Sequence, residues 1–311
     1  MIVRDRPSGL RLFLVYRGSV LKRILPVLIA SILFALVVTL SHGRLYDVKI
    51  VLTAIPFTLI GLPLAIFLGF RNTAAYDRYW EARKLWGDLA IRCHALVRQT
   101  RIFLPGIDDR TGLDDPATRL AMRAIAFTYA VRDRLRDSPA ALQPTGALLG
   151  KDEHEGMASA DNKPRFLMDR MAEDLQRCLQ RKELDTVSAA AIESTLGGMA
   201  AAWLACERIR FTPIPFSYTL LLHRTAYIYC FLLPFGLVDV IGFMTPLVVA
   251  VVAYTFFALD AVGDEIEEPF GSSANDLPLD AICRSIEIAV KEGVGAKDIP
   301  APLVPRNFCL M

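Results

Sequence analysis

The chain has 311 residues, with 35 Lys and Arg against 33 Asp and Glu, and its net charge of +2 gives no nucleic-acid signal. It is 53% hydrophobic and 22% charged, with a mean hydropathy of +0.37. That is too apolar for an ordinary soluble chain and too charged for one confined to a bilayer, so the charges must be segregated.

In chain order, Arg4, Arg6, Arg11, Arg17, Lys22 and Arg23 come first, followed by the uncharged run 24–40. No small-residue cleavage site follows, so these residues predict a cytoplasmic N-terminus ahead of a first membrane helix, not a signal peptide. The segment SHGRLYDVK is predicted to turn outside. Residues 50–70, IVLTAIPFTLIGLPLAIFLGF, form a second uncharged run that reaches ~31 Å as a helix, about one bilayer core. It carries Pro56, Pro63, Gly61 and Gly69. Proline frees a carbonyl one turn back, and in lipid that group needs a protein partner or water. This helix is therefore predicted to be buried in an assembly or to line a wet path. No breaker separates Phe70 from Arg83, so it should run straight on into the cytosol.

Residues 71–216 read as a cytosolic helical block. One helix continues as far as Pro105, others cover about 117–137 and 165–210, and the Pro- and Gly-bearing stretch 138–164 (Pro139, Pro144, Gly146, Gly150, Gly156, Pro164) reads as mostly loop. Two further membrane helices, 217–238 and 240–259, form a hairpin with a short outer turn near Asp239 to Gly242. Residues 260–311 return to the cytosol and end in the Pro-rich, extended tail IPAPLVPRNFCLM. No clear strand and no repeat is seen. The expected organisation is thus 1–70 with membrane helices one and two, 71–216 cytosolic, 217–259 with helices three and four, and 260–311 cytosolic. The fold class is an all-α membrane protein with four spanning helices.

Leu62, Ile66 and Phe70 are spaced i, i+4, i+8 and share one helical face. That face either packs against lipid or a core, or forms a hydrophobic constriction when symmetric copies meet. In FRNTAAYDRYWEARKLWG, the charges Arg71, Asp77, Arg78, Glu81, Arg83 and Lys84 alternate with Tyr76, Tyr79, Trp80 and Trp86. This suits an interfacial aromatic belt with inter-helix ion pairs. Arg224 is a charge at a membrane-helix start, to be read either as functional or as paired with an acid such as Glu207 or Asp77. His42, His94, His154 and His223 show no ligand spacing. Cys93, Cys178, Cys206, Cys230, Cys283 and Cys309 contain no CxxC pair and read as reduced thiols. There is no nucleophile–base set, P-loop, GxGxxG or metal motif, no cofactor is expected, and enzyme chemistry has no case.

Three separated motifs, FLGFRNTAAYDRYWEARKLWG, CERIRFTPIPFSYTLLLHRTAYIYCFLLPFGL and DEIEEPFGSSANDLPLD, occur in the order they take in the bestrophin family. The chain resembles the bacterial branch of that family over about residues 10–290, more weakly in 105–165. The resemblance implies a homopentameric ion channel with one central pore, four membrane helices per subunit and a helical cytosolic part. It implies a pore neck at Leu62, Ile66 and Phe70 and a second, cytosolic aperture at Val187. Leu62 stands where members often carry a β-branched residue, which implies a softer neck. Animal members carry an acidic run after PFG that forms much of a calcium clasp. Here only Asp276 and Asp280 follow, while Asp264, Glu265, Glu267 and Glu268 precede it, either as a cation contact or as a solvated or salt-bridged helix end. Calcium gating through that clasp is not expected.

The function expected is conduction of monovalent cations, Na+ or K+, across the bacterial inner membrane, with both termini cytoplasmic and the lipid bilayer and like subunits as partners. An apolar neck carries no fixed charge, so the alternative is an anion channel. A non-conducting membrane scaffold or signalling protein is the alternative of another class.

Overall fold

The computed structural model describes residues 1–4, 9, 15, 18–45, 48–49, 52–104, 112–137 and 145–310. Arg6, Arg11 and Arg17 of the basic N-terminus, Pro105, and the first part of the expected loop, 138–144, lie outside the described residues. The described chain is helical in the order α1 (Leu21–Leu40), α2 (Ala54–Phe103), α3 (Pro116–Leu135), α4 (Thr145–Leu148), α5 (Lys151–Ser159), α6 (Lys163–Gln180), α7 (Thr186–Phe211), α8 (Phe216–Ile241), α9 (Thr245–Glu267) and α10 (Leu279–Gly293). Two two-residue strands, Arg44–Leu45 and Val48–Lys49, pair antiparallel in the turn after α1, where the sequence shows no strand signal.

The chain divides into two compact units. One comprises 5–79 and 213–269, the other 1–4, 80–212 and 270–311. Among the described residues, four stretches are long and apolar enough to cross a bilayer: Leu21–Leu40, Ile55–Phe103, Thr186–Phe211 and Phe216–Glu267, the last containing both α8 and α9. The sequence reading places α7 outside the bilayer, and its apolar stripe Ile192, Leu196, Met199 and Trp203 is buried in the second unit's core.

In the first unit, α1 buries one stripe, Ile24, Leu28, Ser31, Ala35 and Val38, at i, i+4, i+7 spacing. Ile24 and Leu28 pack with Cys230 of α8 and with Ala253 and Phe257 of α9, and Ala35 packs with Phe57 of α2, Leu233 and Val249. The rest of α1 is apolar and exposed, including Leu33, Val37 and Leu40, the inverse of a soluble surface. Ser31 and Thr39 donate their hydroxyls to the carbonyls of Val27 and Ala35, so neither hydroxyl is left bare in an apolar helix. The α8–α9 turn falls at Gly242, whose positive φ of 52° suits a residue without a Cβ.

Helix α2 is one unbroken element of 50 residues, about 75 Å long. Pro56 does not kink it. It is the third helical residue, where the backbone N–H has no intrahelical acceptor to lose. Pro63 lies inside and leaves the carbonyl of Leu59 without its usual donor. The buried residues Leu68, Ala75, Ala82, Leu89 and Leu96 recur every seven positions, which keeps one seam of the helix packed along its length.

In the second unit α3 is buried almost all round by α6, α7 and α10, and its many alanines let those helices approach. Its N-cap Asp115 accepts from the Thr118 amide at 2.9 Å. Residues 145–159, expected as loop, form α4 and α5. Gly150 is the N-cap of α5 and Pro164 stands in the first turn of α6, so both mark helix starts instead of breaking helices. The expected helix 165–210 is two, divided at 181–185. The tail from Pro300 carries no helix and, instead of staying extended as expected, closes in a turn with Arg306 bridged to Cys309, which is also bridged to Ile2. All six cysteines are free, and burial pushes the Cys283 thiol up to about 12, out of the reactive range.

Candidate functional site

The face of α2 that carries Leu62, Ile66 and Phe70 is built by the helix's own periodicity. Phe57, Leu64, Leu68, Arg71 and Ala75 are buried against the unit. At 100° per residue, Leu62, Ile66 and Phe70 lie about 180° from that stripe, together with Ile55 and Leu59. Their exposures are 66%, 46% and 63%. Among the described residues nothing covers this apolar face. Gly61, on the packed side, lies against Tyr229, where a Cβ would come 3.0 Å from the phenol oxygen.

Directly after Phe70, the chain turns its first charge inward. The Arg71 side chain is 0% exposed. Its Nη1 donates to Asp260 Oδ1 at 2.8 Å, its Nη2 bonds Asp264, and Glu267 Oε2 stands 3.6 Å away. All three acids lie on one face of the last two turns of α9 at i, i+4, i+7. The second oxygen of Asp260 meets His223 Nδ1 of α8 at 2.7 Å, and the His223 ring packs on Tyr227. Asp264 also pairs with Arg23 of α1 at 2.6 Å. One ionic cluster thus ties four helices at the level where α2 passes from apolar to charged sequence. The close approach needs Gly263, since a Cβ there would overlap Asn72 Oδ1 and come 3.3 Å from Arg71 Nη1.

Of the acids considered as a cation contact, Asp264 and Glu267 have an internal cation, Arg71, and Glu267 Oε1 also accepts from the Ile214 amide at 3.1 Å. For these two the salt-bridged helix end is what the geometry contains. Glu265 and Glu268 belong to the same helix end, and the described residues hold no group of three or more His, Cys, Asp or Glu arranged for a metal. The two acids after Pro269–Gly271 do not fit a calcium clasp either. Asp276 is buried and accepts from the Ser273 amide at 2.6 Å, and Asp280 is bound by Arg132 and Arg136, each at 2.8 Å. Calcium takes six to eight oxygen ligands, several of them carboxylates. Currents recorded with and without a chelator are therefore expected to coincide, and reversible closure on chelation would show that these acids can be released to bind the ion.

Arg224 is exposed and has no carboxylate within reach among the described residues of its own unit. Of the acids expected as its partner, Glu207 belongs to the other unit, where it is engaged by Arg134 and by the Trp203 indole at 3.0 Å. Other charges of the α2 segment do pair between helices, with Glu81 meeting Arg208 of α7 at 2.6 Å and Arg78 Nε donating to the Glu267 carbonyl at 3.3 Å. The sequence reading named Arg71 and His223 without joining them, and it missed Asp260. A usable signal existed: Arg71 and Asp260 are each the first charge after an uncharged run, and their signs are opposite.

Val187 lies in the first turn of α7 and is 79% exposed. Asp185 caps that turn, accepting from the amides of Val187 and Ser188 at 2.9 and 3.0 Å and from the Ser188 hydroxyl at 2.6 Å. These bonds, the Ser188 hydroxyl foremost, hold the Asp185 carboxyl below the usual carboxylate range. Its stabilising effect is present above the unfolded value and is lost as pH falls through the lowered native one. Asp185→Ala is accordingly expected to lower the melting temperature at pH 7 and to have a much smaller effect in strong acid. An equal shift at both pH values would show that the cap does not act through the ionised carboxylate.

A family model described as Bacterial/Fungal Bestrophin protein matches residues 1–292. The chain is 41% identical over 310 residues to a voltage-dependent anion channel-forming protein of Mesorhizobium japonicum, covering 99% of this chain and 96% of that one. It is 40% identical over 312 residues to the voltage-dependent anion channel-forming protein YneE of Escherichia coli K12, covering 100% of both. Its fold is similar to the crystal structure of a bacterial bestrophin homolog from Klebsiella pneumoniae, with a TM-score of 0.82 and 34% identity over 88% of this chain and 99% of that one.

Proposed function

We infer the function from a plain premise: this chain belongs to the bacterial and fungal bestrophin family, and it is a membrane ion channel. The assembly is a homopentamer in the bacterial inner membrane with α2 innermost and both termini in the cytosol. Ions pass a dry neck formed by rings of Leu62, Ile66 and Phe70, and a cytosolic vestibule has a second aperture at Val187. The observation that carries this reading is the α2 face itself, apolar, bare among the described residues and opposite the packed seam. Symmetric copies placing that face on a common axis give stacked apolar rings that impose a desolvation barrier on an ion.

The sign of the ion is carried by two different observations. Relatives of about 40% identity named as anion channel-forming proteins support anion conduction, which is our first reading. Asp77 supports the monovalent-cation reading. It is exposed, seven residues past Phe70 on the same face, and is the first acid an ion would meet beyond the neck. Bilayer recordings of the purified protein in asymmetric NaCl test both, since the reversal potential takes the sign of the chloride or the sodium gradient. Asp77→Asn should shift that potential only in the cation case. Absence of current would leave the scaffold reading, and a detergent-complex mass of one or two subunits would remove the central pore.

A further inference from the structure

Arg71 adjoins Phe70 in the chain, and the two side chains leave α2 about 100° apart, one wholly buried and the other 63% exposed. Any roll of α2 that moves the Phe70 ring must drag the Arg71 guanidinium out of its carboxylates. Those carboxylates are held in turn. The Asp260 carboxylate is shared between Arg71 Nη1 and His223 Nδ1, and its backbone carbonyl lies 3.3 Å from Arg71 Nη1. Asn72 Nδ2 adds a bond to the Leu259 carbonyl at 3.1 Å, one residue before Asp260. Phe70 meets Phe67 edge-on with centroids 6.3 Å apart, and Phe67 meets Tyr218 of α8 at 6.2 Å. Helix α8 thus touches the neck twice, through His223 and Asp260 by charge and through Tyr218 and Phe67 by ring packing.

We propose that Arg71, Asp260 and His223 act as a charge latch, a set of positioning residues that fixes the roll of α2 and with it the Phe70 ring; this rests on the neck reading above. A latch of this kind is bistable because a guanidinium seated among carboxylates cannot slide by fractions of an ångström without losing whole charge-assisted bonds. His223 is its accessible end, 46% exposed, so it can be altered without emptying the core. Removing its bond frees one Asp260 oxygen and loosens the seat of Arg71.

The test uses purified full-length channel in planar bilayers. His223→Ala is expected to raise open probability about tenfold, the equilibrium value of one hydrogen bond to a charged group, with unitary conductance unchanged. His223→Gln, which keeps a donor for Asp260, should return it toward the parent value. In a Phe70→Ala background the same His223→Ala change should have no effect, because the ring it positions is gone. An unchanged open probability in His223→Ala, or an equal effect in both backgrounds, overturns the latch while leaving the neck standing. If Phe70→Ala by itself conducts like the parent, the neck reading fails first, and the latch with it.

Discussion

Alanine at Leu62, Ile66 or Phe70 is expected to raise the current severalfold, through conductance, open probability or both. Each residue contributes one side chain per subunit, so a single substitution changes a whole ring. Shortening an apolar ring lets water into the constriction and lowers the desolvation barrier that a dry neck sets. The same substitutions should leave assembly nearly intact. All three side chains are exposed in the protomer, so truncation creates no closed cavity. The control is on the same helix: Leu64→Ala or Leu68→Ala removes a buried side chain and should cost about 2–5 kcal/mol. Single-channel recording with a parallel size-exclusion profile measures both. Alanine variants of the three that assemble normally and conduct like the parent would assign this face to lipid or to a neighbouring subunit.

Arg71→Ala is expected to be the most damaging single change in the membrane unit. It deletes a wholly buried guanidinium and leaves Asp260, itself 7% exposed, facing an apolar helix without its cation. Breaking a buried pair from one side costs about 3–5 kcal/mol, a large share of the about 5–15 kcal/mol that holds a typical domain. Little folded complex should be recovered. Arg71→Lys should do better without matching the parent, since an ammonium keeps the charge but lacks the planar fork that reaches two carboxylates at once. Thermal stability in detergent reads the order: parent, then Lys, then Ala. If Ala equals Lys, the charge of Arg71 contributes nothing and only its packing matters.

Much of this molecule can be read locally. The uncharged runs mark α1, the first third of α2, α8 and α9, because a helix facing lipid or a wet pore cannot scatter charges along its length. The unbroken passage of α2 past Phe70 follows from the lack of any breaker there, and the i, i+4, i+8 spacing places Leu62, Ile66 and Phe70 on one side. Residues 145–159 misled the reading for an equally local reason. Gly150 and Pro164 are composition signals for loops, and they are also the residues that begin helices. Gly156, inside α5, is there because the Phe166 ring lies close, where a Cβ would come 3.2 Å from Cζ.

The sequence by itself determined that the chain spans a membrane, that its second helix is continuous, and which apolar face of that helix is periodic. These properties depend on neighbours within a few turns, where hydropathy and a 3.6-residue period act directly. Only the tertiary structure decided that this face is the one left bare, that Arg71 is buried instead of solvated, and that Asp260 and His223 complete its seat. Arg71 and Asp260 are 189 positions apart. Their meeting depends on how α8 and α9 pack against α2 and on the missing Cβ at Gly263. A choice among many acids of similar composition is made by packing geometry, and no local pattern encodes it.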